Sequence, residues 1–198
     1  MKLTWPKFSV IAFVVLVLDQ WSKFWAVSAL TSAFTGATSF ADKLGLFQSV
    51  KHPAPVRVIP VVDDFWHYRY AENTGAAFSF LADADPSWRV PFFFIVAIIA
   101  MFAILWYYKN SRPEDFVFRC SLALVFGGAV GNLIDRVRLG YVIDFISWHW
   151  YDKAAWPTFN IADAGISVGI VLIFISSIGT DRYGNKIGDA KEKIHVDL

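Results

Sequence analysis

The chain has 198 residues, of which 56% are hydrophobic and 18% aromatic, and its formal net charge at pH 7 is +1. With a mean hydropathy of +0.46, it is more apolar than soluble domains of this size and indicates a membrane protein. A charge so close to neutral gives no signal of a polyanion-binding surface, so no nucleic-acid partner is expected. The single cysteine, Cys120, excludes an internal disulfide and a cysteine-based zinc site.

Four apolar stretches are each long enough to cross a hydrocarbon core of about 30 Å, which needs about 20 residues of helix. Lys2 and Lys7 precede the first stretch, as in a signal peptide. However, Asp19 and Lys23 interrupt it and no small-residue cleavage site closes it, so a retained helix is expected. We predict a single membrane domain over residues 1–198, with four spanning helices at about residues 8–30, 90–108, 116–137 and 162–178.

Basic residues predict the orientation of these helices. They gather before the first span, between the second and third spans, and after the fourth, and four spans bring these three regions to one side of the membrane. Because Lys and Arg are enriched on the cytoplasmic side, both termini are predicted to be cytoplasmic. The residues concerned are Lys2, Lys7, Lys109, Arg112, Arg119, Arg182, Lys186, Lys191 and Lys193.

Two segments then lie on the far side of the membrane. The longer one covers about residues 31–88, and its second half, VRVIPVVDDFWHYRYAENTGAAFSFLA, is rich in β-branched and aromatic residues, which predicts a few short strands. Its first half is rich in Ser, Thr and Ala and ends in prolines, which predicts an irregular insertion. The shorter segment, GYVIDFISWHWYDKAAWPTF, carries aromatic residues that suit the headgroup level. The fold expected is therefore a membrane α-helical protein with a small extracytoplasmic β-rich cradle between its first and second spanning helices.

Several ionisable residues lie within the spans, where each costs about 2.5–3.5 kcal/mol and marks either function or a structural pair. Asp19 and Lys23 stand at positions i and i+4 of one helix, the spacing of an intrahelical ion pair. Asn132, Asp135 and Arg136 stand at i, i+3 and i+4 and are expected to project from one face. Arg136 would keep Asp135 ionised, which suits a structural carboxylate better than one that exchanges a proton.

Asp144 and Asp163 have no basic neighbour in the sequence. Asp144 follows Gly140, where the third helix is predicted to end and the chain to turn back. Asp163 begins the fourth span, where a helix N-terminus favours a carboxylate. Four-span topology brings both to one membrane face, where close carboxylates would share a proton, one activating water and the other polarising a carbonyl. The spacing also allows a simple helix cap at Asp163 and a loop carboxylate at Asp144.

Five motifs, LDQWSK, ENTGAAFS, GGAVGNLIDR, VIDF and FNIADAGISVG, occur in this order over nearly the whole chain. Together they resemble the motifs of lipoprotein signal peptidase, or signal peptidase II, a bacterial membrane aspartyl endopeptidase. The resemblance implies cleavage of prolipoproteins just before a diacylglyceryl-modified cysteine, at the outer face of the inner membrane and without a metal or other cofactor. The implied partners are the lipid-modified prolipoprotein and membrane lipids. The chain departs from the family pattern by an insertion at residues 33–55.

The resemblance also implies roles for individual residues. It makes Asp144 and Asp163 the catalytic pair. The motifs can also be read to pair Asp135 with Asp163, but the basic neighbour of Asp135 favours Asp144. The resemblance implies substrate contacts for Asn132, Arg136, Asn160, Asn73 and Gly75, and structural support from Asp19, Lys23 and Asp135.

Two other classes of function would also account for part of the sequence. In a small transporter or channel subunit, the charged residues of the spans would line an ion path, but a transporter predicts repeats between its halves, and the sequence shows none. A non-catalytic assembly factor with an aromatic interfacial belt gives no reason for two carboxylates at helix ends on one face. The sequence therefore favours the peptidase.

Overall fold

The computed structural model describes residues 3–75, 85–151 and 153–178. Four helices in these ranges are long and apolar enough to cross a membrane, which confirms the four-helix prediction with small changes at the helix ends. The predicted basic residues Lys2, Arg182, Lys186, Lys191 and Lys193, and residues 76–79 of the ENTGAAFS motif, lie outside the described residues. In chain order the elements are α1 (Trp5–Leu30), α2 (Phe40–Ser49), β1 (Ile59–Val62), β2 (Trp66–Asn73), α3 (Pro86–Asn110), α4 (Phe116–Leu139), β3 (Val142–Trp150), β4 (Ala154–Ala155) and α5 (Ile161–Ile178).

Helix α4 is the centre of the bundle and packs against α1, α3 and α5. Two of its glycines allow unusually close approach. A Cβ atom at Gly128 would lie 2.5 Å from the carbonyl oxygen of Ala162 in α5, and one at Gly131 would lie 2.5 Å from Oδ2 of Asp19 in α1. Because these glycines have no side chain, α5 packs closely on α4 at Gly128 and α1 packs closely on it at Gly131, so the start of α5 and the middle of α1 lie at the same height along α4.

The four strands form one antiparallel sheet in the order β1-β2-β3-β4. In the pairing of β2 with β3, Ala71 lies opposite Asp144 and Asn73 lies opposite Val142. The predicted strands of the longer segment are thus present, but the shorter segment between α4 and α5 supplies the other half of the sheet. The cradle is therefore built from both of the segments predicted to be extracytoplasmic, rather than only from the one between the first two spanning helices.

Strand β3 follows α4 almost without a connection. Gly140 ends the helix as predicted, with a left-handed φ of +88° that glycine adopts at little cost. Asp144 then lies within a strand rather than in the turn that the sequence indicated. Residues 142–147 are all buried, so the segment lacks the polar and apolar alternation that identifies a strand with one exposed face.

The insertion is also more regular than predicted, because it contains the ten-residue helix α2. Its N-terminus carries a capping box, in which Ser39 Oγ accepts a hydrogen bond from the Asp42 amide and the Asp42 carboxylate accepts one from the Ser39 amide, both at 3.0 Å. Phe47 on this helix is buried in the apolar cluster beneath the sheet. The expected irregular insertion is therefore wrong for residues 40–49.

Two apolar clusters hold the ends of the bundle. At the end away from the sheet, the Tyr108 hydroxyl donates to the Leu3 carbonyl at 3.0 Å, and the Arg119 guanidinium lies 4.0 Å from the centre of the Tyr108 ring. At the other end, the sheet and α2 close over the ends of α1 and α4. The fully or nearly buried members of this second cluster are Ala26, Val27, Leu30, Phe47, Tyr70, Leu139, Tyr141, Ile143, Phe145 and Ile146.

Candidate active site

Asp144 and Asp163, which lie on different secondary-structure elements, share one hydrogen-bond network. Asp144 on β3 is 2% exposed, and its two oxygens accept hydrogen bonds from Asn73 Nδ2 at 3.0 Å and Asn160 Nδ2 at 2.7 Å. Asp163, in the first turn of α5, accepts from Asn132 Nδ2 at 2.8 Å and from the Asn160 amide at 3.3 Å. Asn160 thus bonds to both carboxylates.

Asn160 is also the residue that starts α5. Its Oδ1 accepts a hydrogen bond from the Asp163 amide at 2.9 Å, while the Asp163 carboxylate accepts from the Asn160 amide. This reciprocal pair is a capping box, which satisfies backbone donors that would otherwise lack partners at the helix start. Asp163 therefore does cap the helix, and its other oxygen is held by Asn132.

Burial raises the pKa of the Asp144 carboxyl to about 7, and the nearby negative charge of Asp163 adds to the increase. Hydrogen bonds from Asn73 and Asn160 act in the opposite direction, because they stabilise the ionised form. Near neutral pH this carboxyl group therefore keeps a proton far more readily than an ordinary aspartate does. A proton shared between two neighbouring carboxylates is the arrangement of an acid–base pair.

A buried charge network lies behind this pair, between α1 and α4. Lys23 Nζ lies 2.9 Å from Asp19 Oδ2, 2.8 Å from Asp135 Oδ2 and 3.0 Å from Asn132 Oδ1. The side chains of the lysine and of both aspartates are 0% exposed. The predicted pair within α1 is thus part of a larger cluster. Because Asn132 also donates to Asp163, the cluster is one hydrogen bond away from the carboxylate pair.

Asp135 faces this cluster, but Arg136 does not. Asp135 Oδ1 accepts from Arg138 Nη2 at 3.1 Å, whereas Arg136 Nη2 donates to the Gly75 carbonyl at 2.9 Å. The predicted partnership of Asp135 with Arg136 is therefore wrong: its basic partners are Arg138 and the buried lysine of α1. The reason is helix geometry, since residues three apart share a face and consecutive residues point in different directions.

Two partners of the α1 and α4 carboxylates, the Ala162 amide and Gln20, were not predicted from the sequence. Asp19 Oδ1 accepts from the Ala162 amide at 3.1 Å, so α1 also helps to cap the start of α5. Gln20 Nε2 donates to Asp19, to Asp135 and to the Gly131 carbonyl at 3.1–3.3 Å. Gln20 stands inside the LDQWSK motif, which was the available signal for its involvement.

A cavity of about 760 Å³ opens in front of the carboxylate pair. One wall is the sheet, with exposed Trp148 at its rim, and another is the first turns of α5, whose apolar side chains face outward. Gly75 adjoins this cavity by donating its amide to Asn73 Oδ1 at 3.0 Å. The cavity thus connects the polar side chains around the carboxylate pair with the apolar surface of the spanning helix α5. Of the predicted site residues, the lining includes Asn73, Asn132, Arg136, Asp144 and Asp163.

Four membrane-length helices, together with a cavity that paired carboxylates line beside the sheet, are typical of a polytopic membrane enzyme. The family model described as Signal peptidase (SPase) II matches residues 11–179. The chain belongs to this signal peptidase II family and is a membrane protease. These findings support the peptidase and not the transporter or channel alternative.

Similar proteins cover almost the whole chain. A lipoprotein signal peptidase of Anaeromyxobacter sp. (strain Fw109-5) is 38% identical over 190 residues, which are 93% of this chain and 90% of that protein. One from Geobacter sulfurreducens is 39% identical over 182 residues, or 92% and 98% of the two chains. A solved bacterial membrane enzyme, determined by the in meso method at 1.9 Å resolution, matches with a TM-score of 0.67 and 26% identity over 88% of this chain and 94% of that chain.

Proposed function

We propose that Asp144 and Asp163 are the catalytic pair of this protease. We further propose that it hydrolyses the peptide bond just before a diacylglyceryl-modified cysteine of a prolipoprotein. The observation that carries the proposal is the joint bonding of both carboxylates to Asn160 at the wall of one cavity.

The two carboxyl groups divide the roles of acid and base. Asp163, which accepts two hydrogen bonds, is the base that takes a proton from water as the water oxygen attacks the scissile carbonyl carbon. Asp144, whose pKa of about 7 keeps a proton available, gives that proton to the carbonyl oxygen. The resulting diol then returns a proton to Asp144, the carbon–nitrogen bond breaks, and the proton on Asp163 passes to the leaving amine. Both carboxyl groups end in their starting states.

Asn132 and Asn160 position this pair, and Asn132 also lines the cavity, where the family resemblance implies a substrate contact. The amide oxygen of Asn132 accepts from Lys23 and from Asn160, and its nitrogen donates to Asp163. Asn160 is 0% exposed and uses both ends of its amide inside the protein. Arg136, Asn73 and Gly75 are further proposed substrate contacts, because the first two line the cavity and the third bonds to both of them.

Lipid attached to the substrate cysteine would bring the scissile bond to the cavity. The cavity wall includes apolar residues of α5 such as Ile166 and Ile170, the second of which is 56% exposed on a membrane-length helix. Burial of the two acyl chains in the bilayer is favourable by about 0.8 kcal/mol per methylene, and this anchoring fixes the depth of the peptide bond. Because the peptide bond is then held beside the carboxylate pair, the reaction no longer depends on a chance encounter of substrate and enzyme in solution.

The orientation proposed is that of the bacterial inner membrane with both termini cytoplasmic and the cavity at the outer face. Support comes from Lys7, Lys109 and Arg112, which belong to the end of the bundle opposite the sheet. A reporter fused after Leu198 should be active only in the cytoplasm, and one inserted near Lys51 only outside. Exchanged activities would contradict this orientation.

The substrate proposal is tested by digesting two forms of one prolipoprotein, with and without the diacylglyceryl group, using the same purified protein. Product masses should show cleavage immediately before the modified cysteine, and the unmodified form should be cut far more slowly. Each form incubated without enzyme is the control. Equal rates on the two forms would contradict delivery by lipid, whereas cleavage at another bond would contradict the proposed specificity.

A further inference from the structure

Helix α2 in the insertion presents apolar side chains that the protein does not cover. Phe40 is 59% exposed and Leu44 is 43% exposed, and they lie at positions i and i+4 on one side of the helix. Phe47, at position i+7, lies on the same apolar face and is 6% exposed because the helix packs on the protein there. This apolar face is therefore covered at Phe47, which forms its inner side, and uncovered at Phe40 and Leu44, which form its outer side.

The outer side of α2 continues the lipid-facing surface of α1. The ring centres of Phe40 and Phe24 are 5.7 Å apart, and those of Phe24 and Trp21 are 6.0 Å apart. Trp21 is 62% exposed and Leu18, one turn before it, is 55% exposed. Since α1 is a membrane-spanning helix, these exposed residues face acyl chains, and the same apolar surface runs without a break onto α2.

The depth of this contact follows from the length of α1. Its 26 residues extend about 39 Å, which exceeds a hydrocarbon core of about 30 Å by about 9 Å. If an upright helix shares this excess between its ends, each end projects about 4–5 Å. Phe24 lies six residues, or about 9 Å, before the end of α1 at Leu30. Because this distance is greater than the projecting length of about 4–5 Å, Phe24 lies within the outer hydrocarbon layer. Phe40, in contact with Phe24, reaches the same layer.

The side of α2 away from these residues is polar. At about 100° per residue, Ser49 points about 140° away from Leu44 around the helix axis. Asp42 lies on the same polar side, and hydrogen bonds from Thr38 and Ser39 hold the pKa of its carboxyl below the ordinary value. A helix with one apolar and one charged or polar side is suited to lying in a membrane interface.

We propose that α2 is an interfacial membrane helix, whose outer side is covered by lipid acyl chains at the end of the bundle that holds the sheet. The insertion thereby widens the membrane contact of α1. The inner side of α2 also reaches the support of the site, since the Phe47 carbonyl accepts from Arg138 Nη1 at 2.7 Å and the Arg138 guanidinium lies 4.1 Å from the centre of the Phe47 ring. This inference does not depend on the assignment of the catalytic pair.

The test uses nitroxide spin labels on single cysteines in a Cys120→Ala background. Separate variants carry the label at Leu44, at Ser49 and at Leu18, the last being a reference in the middle of α1. The labelled proteins are reconstituted into vesicles of phosphatidylethanolamine and phosphatidylglycerol. Collision rates of each label with oxygen, which concentrates in lipid, and with a water-soluble nickel complex are then measured.

Labels at Leu44 and Leu18 should both collide several-fold more often with oxygen than with the nickel complex, while the label at Ser49 should show the reverse. A Phe40→Cys label gives a second, independent reading of the outer side. If the Leu44 label met the nickel complex as readily as the Ser49 label does, water would cover the outer side and the proposal would fail. Line broadening at Leu44 that disappears on dilution with unlabelled protein would show a second copy there, which would also overturn it.

Discussion

Replacing Lys23 by methionine tests the buried network that holds the site together. Methionine keeps an unbranched apolar side chain of similar length, and the change removes the contacts of Lys23 Nζ with Asp19, Asp135 and Asn132 at 2.8–3.0 Å. Two carboxylates with 0% exposed side chains then lose their common cation. A large loss of stability is expected, because neither carboxylate can reach water.

The size of the loss depends on the partners that remain. Breaking a buried ion pair by removing one member costs about 3–5 kcal/mol. Asp19 keeps its hydrogen bond from the Ala162 amide and Asp135 keeps Arg138, so the lower end, about 3 kcal/mol, is expected. For a protein of this size, that corresponds to a fall in Tm of about 6–12 °C. Activity per folded molecule should fall as well, since Asn132 loses one of the contacts that orient it.

The assay is thermal unfolding of purified protein in detergent, with Lys109→Met as the matched control. Lys109 is exposed near the end of α3, and its replacement should change stability by no more than about 0.5 kcal/mol. Adding Asp19→Asn to Lys23→Met should recover part of the lost stability, because it removes one of the uncompensated charges. If Lys23→Met unfolded at the same temperature as Lys109→Met, the network would not carry the stability assigned to it.

Three further predictions concern pH, packing and the rival carboxylate. Because Asp144 must be protonated to act as the acid, kcat/KM should fall as pH rises through about 7. The Asn73→Ala variant removes a hydrogen bond that stabilises the ionised form of Asp144, so the fall should move to higher pH. An unchanged pH profile in this variant would contradict the assignment of Asp144 as the acid. Gly131→Ala should cost about 1–3 kcal/mol, since its methyl group would lie 2.5 Å from a carboxylate oxygen of α1, whereas Gly45→Ala, with nothing within 4 Å, should not lower Tm. Asp135→Asn should lower Tm at least as clearly as activity per folded molecule, and a stable, inactive variant would instead favour pairing Asp135 with Asp163.

The sequence was sufficient to find the spans and to propose the two carboxylates. Apolar length identified four helices, and Gly140 marked the end of α4 through its tolerance of a left-handed backbone. Asp163 could be assigned to a helix start because a carboxylate there has free backbone amides to bind. In each case the signal is local, so a single sequence contains it.

The errors lie where position depends on packing. Strand β3 is covered on both faces, so its pattern lacks alternation and Asp144 was expected in a turn. The choice of Arg138 over Arg136 as the partner of Asp135 depends on how α4 is rotated against α1. The contacts of Asn132 and Asn160 with each other and with both carboxylates require the start of α5 to meet α4, which the glycines of α4 permit.

The most direct test of the catalytic pair is turnover of a diacylglyceryl-modified prolipoprotein by Asp144→Asn and Asp163→Asn, measured as product mass against time. An amide can neither accept the proton from water nor supply one to the carbonyl, so each variant should lose activity by at least about 100-fold. Thermal unfolding in detergent should show that both variants remain folded. Near-normal turnover by either variant would contradict the assignment of Asp144 and Asp163 as the pair that activates water.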